Sequence, residues 1–216
     1  MSQHFVERGG LPPGLTSFTK IRLGWISGEQ VRFVKPGETA VAFLSPLSAG
    51  GETLAVKIPL SWGNHYLVEN RQPVGFDRAL PDSGILILKV NPDAAEGYGT
   101  VKIMDANPDA AEGYGTVKIM DANPASAHFR QATYRLDGEG SSLFKDGEVA
   151  VIPLWKDGER LGVLVTTPER SAEALQAARA VAALMKRKGP RDPLTAEAKA
   201  AFMALDFKRC IGIAGR

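Results

Sequence analysis

Apolar and polar positions alternate along much of the first two thirds of the chain, and that alternation predicts strands. Gln30-Val31-Arg32-Phe33-Val34 reads as one strand, turned by Pro36-Gly37. Thr39 to Leu44 reads as a second, and Thr53 to Leu60 as a third, entered from the turn Gly50-Gly51-Glu52. His65 to Arg71 alternates through Tyr66 and Val68 before reaching Glu69-Asn70-Arg71. Leu80-Pro81-Asp82-Ser83-Gly84 is a turn set by its proline and glycine. Ile85 to Val90 then runs apolar on both parities, the mark of a strand covered on both sides.

Two stretches change period. Near the N-terminus Thr16 or Ser17 caps a short helix that ends near Gly24, with Leu15, Phe18, Ile21 and Leu23 as its apolar stripe. After Thr167-Pro168 a long helix follows, with Ala172, Leu175, Ala178, Ala182 and Met185 on one face. It closes at Lys186-Arg187-Lys188-Gly189-Pro190, where positive charge suits a helix C-terminus. A second helix is predicted from Thr195 to about Phe207, aligning Ala198, Phe202 and Leu205.

Between these regions the chain repeats itself. Asn91 to Ala106 recurs unchanged as Asn107 to Ala122, a period of 16 residues, and Asn123-Pro124 opens a third copy. Solenoid repeats diverge and come in longer arrays, so two identical copies read as an in-frame duplication. Each copy holds a loop and a strand, Thr-Val-Lys-Ile-Met. The surplus strand must loop out, extend an edge or pair with its twin. The acidic, glycine-containing loop matches no calcium-binding pattern. Downstream, Asp137-Gly138, Asp146-Gly147 and Asp157-Gly158 are hairpin signals, the last joining Val149–Trp155 to Arg160–Thr166.

Composition narrows the classes. With 26 basic and 24 acidic residues the net charge is +2, which gives no reason to expect nucleic acid or an anionic membrane as partner. The single cysteine, Cys210, rules out an internal disulfide. No apolar stretch approaches the roughly 18 residues that span a bilayer. The N-terminus lacks a basic-then-apolar leader pattern, so as written the chain is expected in the cytoplasm.

Two motifs carry a resemblance. Tyr66-Leu67-Val68-Glu69-Asn70-Arg71-Gln72, followed by Gly75-Phe76-Asp77 and Leu80-Pro81-Asp82-Ser83-Gly84-Ile85-Leu86-Ile87, resembles the segment after the catalytic core of immune inhibitor A-type metallopeptidases. Upstream, Lys20-Ile21-Arg22-Leu23-Gly24-Trp25-Ile26 resembles that family's Lys-x-x-Leu-Gly-Trp-Ile element. The resemblance covers about Met1 to Phe129 and rests on Gly24 and Gly84 among its motif positions. Met1-Ser2 resembles the methionine turn of metzincins, which implies an open reading frame that starts inside a longer gene; the alternative is that Met1 is only an initiator. The family is secreted and zinc-dependent, so the resemblance implies a secreted parent that hydrolyses peptide bonds.

The chain's own residues do not supply that chemistry. A zinc peptidase needs His-Glu-x-x-His, which puts two imidazoles and a base on one helix face. The three histidines here, His4, His65 and His128, are scattered. No metal ligand or catalytic residue is therefore assigned, and zinc is expected only in a full-length parent. There is no Gly-x-Ser-x-Gly elbow and no phosphate-binding glycine loop. Cys210 follows Arg209, which would lower its pKa, yet a lone terminal cysteine is more often inert. Glu69 and Arg71 share one strand face, which suits a structural ion pair or a link to a neighbouring domain; a substrate carboxylate held by Arg71 is the lesser reading. Trp25, Tyr66 and Trp62 are either buried aromatics, the safer reading, or a sugar-stacking platform.

The expectation is a mainly β fold with α additions: an antiparallel sandwich or meander, a short N-terminal helix and a C-terminal helical hairpin. Residues 1–28 would be the end of a peptidase domain, 29–166 the β domain and 167–216 the helices. Functionally, the chain would be the non-catalytic C-terminal portion of an immune inhibitor A-like peptidase, partnered by the missing peptidase domain. A self-standing glycan- or protein-binding module is the alternative. The oligomeric state stays open.

Overall fold

A computed structural model describes residues 12–93, 117–126, 130–137 and 141–216. Met1, His4, His128, the first copy of the repeated strand and the Gly138 turn lie outside those residues.

Among the described residues the chain builds two sheets and four helices. Helix α1 (Ser17–Arg22) is followed by β1 (Val31–Phe33), β2 (Ala40–Leu44), β3 (Ala55–Pro59), β4 (His65–Arg71), β5 (Gly84–Val90) and β6 (Val117–Met120). Then come β7 (Phe144–Asp146), β8 (Val149–Asp157), β9 (Arg160–Thr166), α2 (Pro168–Lys188), α3 (Pro193–Met203) and α4 (Phe207–Ala214). The first sheet has the order β1-β3-β4-β5-β6 and the second β2-β9-β8-β7. All pairings are antiparallel except β1 with β3, which run parallel because β2 leaves for the other sheet between them.

The sheets pack face to face. Alternate residues of β3, β4 and β5 (Val56, Ile58, Tyr66, Val68, Ile85, Ile87) meet Ala42, Leu44, Val151, Val163 and Val165 from the second sheet. Each fully buried aliphatic side chain here contributes about 1.5–3 kcal/mol before the entropy of ordering it. The opposite parity of the first sheet, Leu67, Leu86, Leu88 and Val90, packs under Phe18 and Ile21 of α1. The continuous apolar run Ile85–Val90 is thus covered on both sides. The outer face of the second sheet, with Ile152, Leu154 and Leu164, is roofed by α2, α3 and α4.

Local signals account for the joints. Gly24 takes φ 71° and closes α1: its N–H donates to Ile21 O and the Trp25 N–H to Lys20 O, a Schellman stop. Asp146-Gly147 and Asp157-Gly158 each close a two-residue loop with the glycine at φ 57° and 60°, while the following glutamate keeps a negative φ. That is the arrangement of a type II′ hairpin.

The C-terminal region differs in detail from its prediction. The buried face of α2 is Ala174, Ala177, Ala178, Val181 and Leu184, and Ala172 points to solvent. In so alanine-rich a helix the phase of the apolar stripe is weakly marked. The second helix stops at Met203, Leu205 adopts φ 60°, and Asp206 caps a third helix by accepting from the Arg209 N–H. Three helices, rather than a hairpin of two, therefore cover the sheet. Among the described residues no helix is long and apolar enough to cross a membrane.

Candidate functional site

Strand β4 delivers polar side chains to both of its faces. On the parity that faces α1, Leu67 is followed by Glu69 and Arg71, both almost fully buried. Past the strand, Gly75 at φ 57° opens a 3-10 turn, Gly75–Asp77, that returns the buried Asp77 carboxylate to the same spot. Arg71 sits between the acids, with Nη1 at 3.1 Å from Glu69 and Nη2 at 2.6 Å from Asp77.

All four carboxylate oxygens are used. Glu69 Oε2 accepts from the Ser17 N–H at 2.7 Å. Asp77 Oδ1 also accepts from the Gly14 N–H at 2.8 Å, and Oδ2 from the Ser48 hydroxyl at 2.6 Å. Arg71 adds bonds to the carbonyls of Gly14 at 3.0 Å and Leu15 at 3.5 Å. Lys20 crosses from α1 to the Leu47 carbonyl at 2.8 Å. Its pKa is lowered chiefly by burial, with Asp77 opposing that shift.

The result is a clamp. The backbone entering α1, the 45–48 loop and the 3-10 turn are all fastened to the end of β4. Buried charges persist only when paired and hydrogen-bonded. Thr16 makes no side-chain cap; Glu69 takes that place for the first N–H of α1. Arg71 is 4% exposed as a residue, and its two Nη atoms are taken up by two acids and two carbonyls, which favours the structural ion pair over the holding of a substrate carboxylate.

On the other parity Asn70 points between the sheets, donating to Leu44 O at 2.8 Å. Gln72 then bridges to the β8–β9 hairpin: its Nε2 donates to Glu159 O at 3.0 Å and its Oε1 accepts from Lys156 at 3.2 Å. Beside it opens a cleft of about 330 Å³, bordered by Gln72, Arg135, Trp155, Lys156 and Met185. A register shift between Pro153 and Lys156 bends β8 at this point. No histidine or cysteine lines the cleft.

A third polar group ties the sheets together at their far end. The Tyr66 hydroxyl donates to Asp146 Oδ2, and Lys89 Nζ reaches the same oxygen at 2.8 Å. The Lys89 and Tyr66 hydrogen bonds hold the Asp146 carboxyl below its ordinary range, while burial and Asp146 push the Tyr66 phenol up.

The remaining predicted positions fall apart in space or in role. Tyr66 is buried, with its ring edge-on to Phe144 at 5.2 Å, so it offers no face to a sugar. Trp25 is 65% and Trp62 86% exposed, which corrects the expectation that they are buried. Trp62 also holds a left-handed backbone, φ 57° and ψ 38°. Gly84 stands where a Cβ would lie 2.7 Å from the Tyr134 carbonyl, so the strand approach there admits no side chain. His65 is tied to the Gly63 carbonyl at 3.1 Å and its pKa is lowered by burial. Burial pushes the Cys210 thiol up to about 11, the reverse of the activation that Arg209 would provide. Among the described residues no three His, Cys, Asp or Glu side chains gather closely enough to hold a metal ion.

Sequence reading paired Glu69 with Arg71 but missed Ser17, Ser48 and Asp77 as their partners. The one signal for Asp77 was the motif Gly75-Phe76-Asp77, which carried a resemblance but no role in the pairing. No protein family, curated protein or solved structure matches the chain.

Proposed function

We propose that this chain is the post-catalytic support of an immune inhibitor A-like zinc metallopeptidase, without catalysis of its own. One observation carries the reading. One of the two stretches that resemble the family, Tyr66–Asp77, holds the backbone just upstream of the other, Lys20–Ile26, through one buried clamp: Arg71 and Asp77 grip Gly14, and Glu69 holds the first N–H of α1. Such a clamp fixes the path of the chain as it enters the sandwich, which is what a domain trailing a peptidase core needs. Zinc-activated water would belong to the parent's peptidase domain, because no His-Glu-x-x-His occurs here.

Two measurements test this. The purified chain should not cleave casein or peptides with or without added zinc; chelator-sensitive cleavage by the homogeneous protein overturns the proposal. Co-expressed with an immune inhibitor A-type catalytic domain truncated after its methionine turn, it should co-purify with that domain and restore zinc-dependent hydrolysis. Absence of any association is the opposite result.

A second reading has its own support. Trp62 is both highly exposed and held in a backbone conformation unfavourable for a bulky residue, a combination often kept for contact. A binding module would give glycan-array or pull-down signals that vanish in Trp62→Ala.

A further inference from the structure

We propose, independently of the function proposed above, that the cleft beside Gln72 binds a free α-amino acid with an apolar side chain of about leucine size.

Its apolar wall is made by a bulge. Along β8 the step from Pro153 to Lys156 covers one residue more than the step between their partners Val163 and Leu161 on β9. Such an insertion re-aims the side chains beside it. Strict alternation would put Trp155 with Val151, between the sheets; instead it joins Leu154 in the apolar layer beneath the helices. Gly162 of β9 admits the bulge, because a Cβ there would lie 2.9 Å from Leu154 Cβ and 3.2 Å from the Trp155 carbonyl. The indole is fixed edge-on to Phe202, with the ring centres 5.0 Å apart. Trp155, Leu161, Ala182 and Met185 give the cleft of about 330 Å³ its apolar lining. That volume lies at the lower end for ligand sites, which suits a small molecule.

Two opposite charges border the same cleft. Lys156 follows the bulge and is exposed, and its ammonium donates to the neutral Gln72 amide oxygen at 3.2 Å. Gln72 is itself anchored by its bond to the Glu159 carbonyl at 3.0 Å, so Lys156 is held in place without being neutralised. Asp137 is exposed as well. Among the described residues neither Lys156 nor Asp137 forms an ion pair, with the other or elsewhere. Arg135, the third charge at the cleft, is paired with Asp82 at 3.0 Å and adds no net charge.

A simple carboxylate would leave Asp137 unanswered, and a simple amine would leave Lys156 unanswered. A molecule with both charges on one carbon and an apolar side chain meets all three features. Its carboxylate goes to Lys156, its ammonium to Asp137 and its side chain against Trp155 and Met185. Methionine is unbranched and adapts its shape, so Met185 accommodates a set of aliphatic side chains rather than one.

Leucine, isocaproate and isoamylamine share one side chain and differ in charge, so they probe each contact in turn. Binding is read by calorimetry and by Trp155 emission in a Trp25→Phe, Trp62→Phe background. Leucine should give saturable binding in the millimolar range or tighter. Isocaproate and isoamylamine should each bind at least about tenfold more weakly, the loss expected for one charged contact. Asp137→Asn should weaken leucine about tenfold and leave isocaproate unchanged, while Lys156→Gln should weaken both and leave isoamylamine unchanged. Both residues are exposed, so the Tm should stay where it is. Met185→Trp fills the cleft and should abolish leucine binding. No saturable signal with millimolar leucine overturns the proposal. So does isocaproate or isoamylamine binding as tightly as leucine, or leucine binding that survives unchanged in Asp137→Asn and Lys156→Gln.

Discussion

The two outer faces of the sandwich are covered by opposite means. The second sheet is roofed by three helices whose contacts are apolar: Ala174, Val181, Leu184, Phe202 and Phe207 over Ile152, Leu154 and Leu164. The first sheet is covered at one end by α1, only six residues long. An isolated helix below about 12–15 residues is marginal in water. What keeps α1 in place is the Glu69–Arg71–Asp77 clamp, assisted by Phe18 and Ile21. A hydrophobic roof is non-directional and yields gradually to truncation. An ionic clamp behaves otherwise, because removing one partner leaves buried charge without compensation.

The sharpest way to break this contrast is Arg71→Met. It strands two buried carboxylates and should cost about 5 kcal/mol, the upper end for a broken buried pair. Urea unfolding measures the loss. Adding Glu69→Gln and Asp77→Asn to the same protein should return a large part of it, since the orphaned charges disappear. A cost near zero for Arg71→Met would mean that apolar contacts alone hold α1.

On the roof, Phe202→Ala should cost about 3–4 kcal/mol. Its ring lies 5.0 Å from Trp155 and 5.2 Å from Phe207, so the loss is a cavity at the centre of the helical layer. Hydrogen exchange should speed up through α3 and α4 while the amides of α1 keep their protection. Uniform loss across both covers would show that they are one cooperative unit.

Cys210 reports the roof alone. It is buried, and burial raises its pKa to about 11, so iodoacetamide at pH 8 should label it slowly. Phe202→Ala should accelerate labelling by more than about tenfold through local opening. A clamp variant that remains folded, such as Ser48→Ala, should leave the rate unchanged.

The smallest effect concerns the partly exposed tie between the sheets. The Asp146 carboxyl titrates below its ordinary range in the folded state, so its contribution is present above the unfolded carboxyl pKa of about 3.9 and disappears as pH falls through the lower folded value. Asp146 is 38% exposed, which limits the contribution to well under about 1 kcal/mol. The stability difference between the protein and Asp146→Asn should be measurable at pH 7 and shrink steadily as pH falls below about 3.9.

Much of this could be read from the chain before its shape was known. Period-two runs located β2 to β4, a continuous apolar run located β5, and the Asp-Gly pairs located the β7–β8 and β8–β9 hairpins, because these signals are local. The spacing of Glu69 and Arg71 placed them on one strand face. Asp77, Ser17 and Ser48 were illegible as members of the clamp because they arrive from separate segments through backbone turns that local pattern does not encode. The third C-terminal helix was hidden because Leu205, not a glycine, takes the left-handed turn that ends α3. The parallel pairing of β1 with β3 was hidden because no sequence signal marks the departure of β2 to the opposite sheet.

That departure has a consequence for synthesis. Among the described residues strand β2 pairs only with β9, with Ala40 opposite Val165, so it emerges from the ribosome long before that partner exists. At ordinary elongation rates the wait is on the order of 10 s. During that interval Ala40–Leu44 is an unpaired, aliphatic strand on a nascent chain. A chaperone that shields this stretch should raise the yield of native protein most when translation is slowed between β3 and β9.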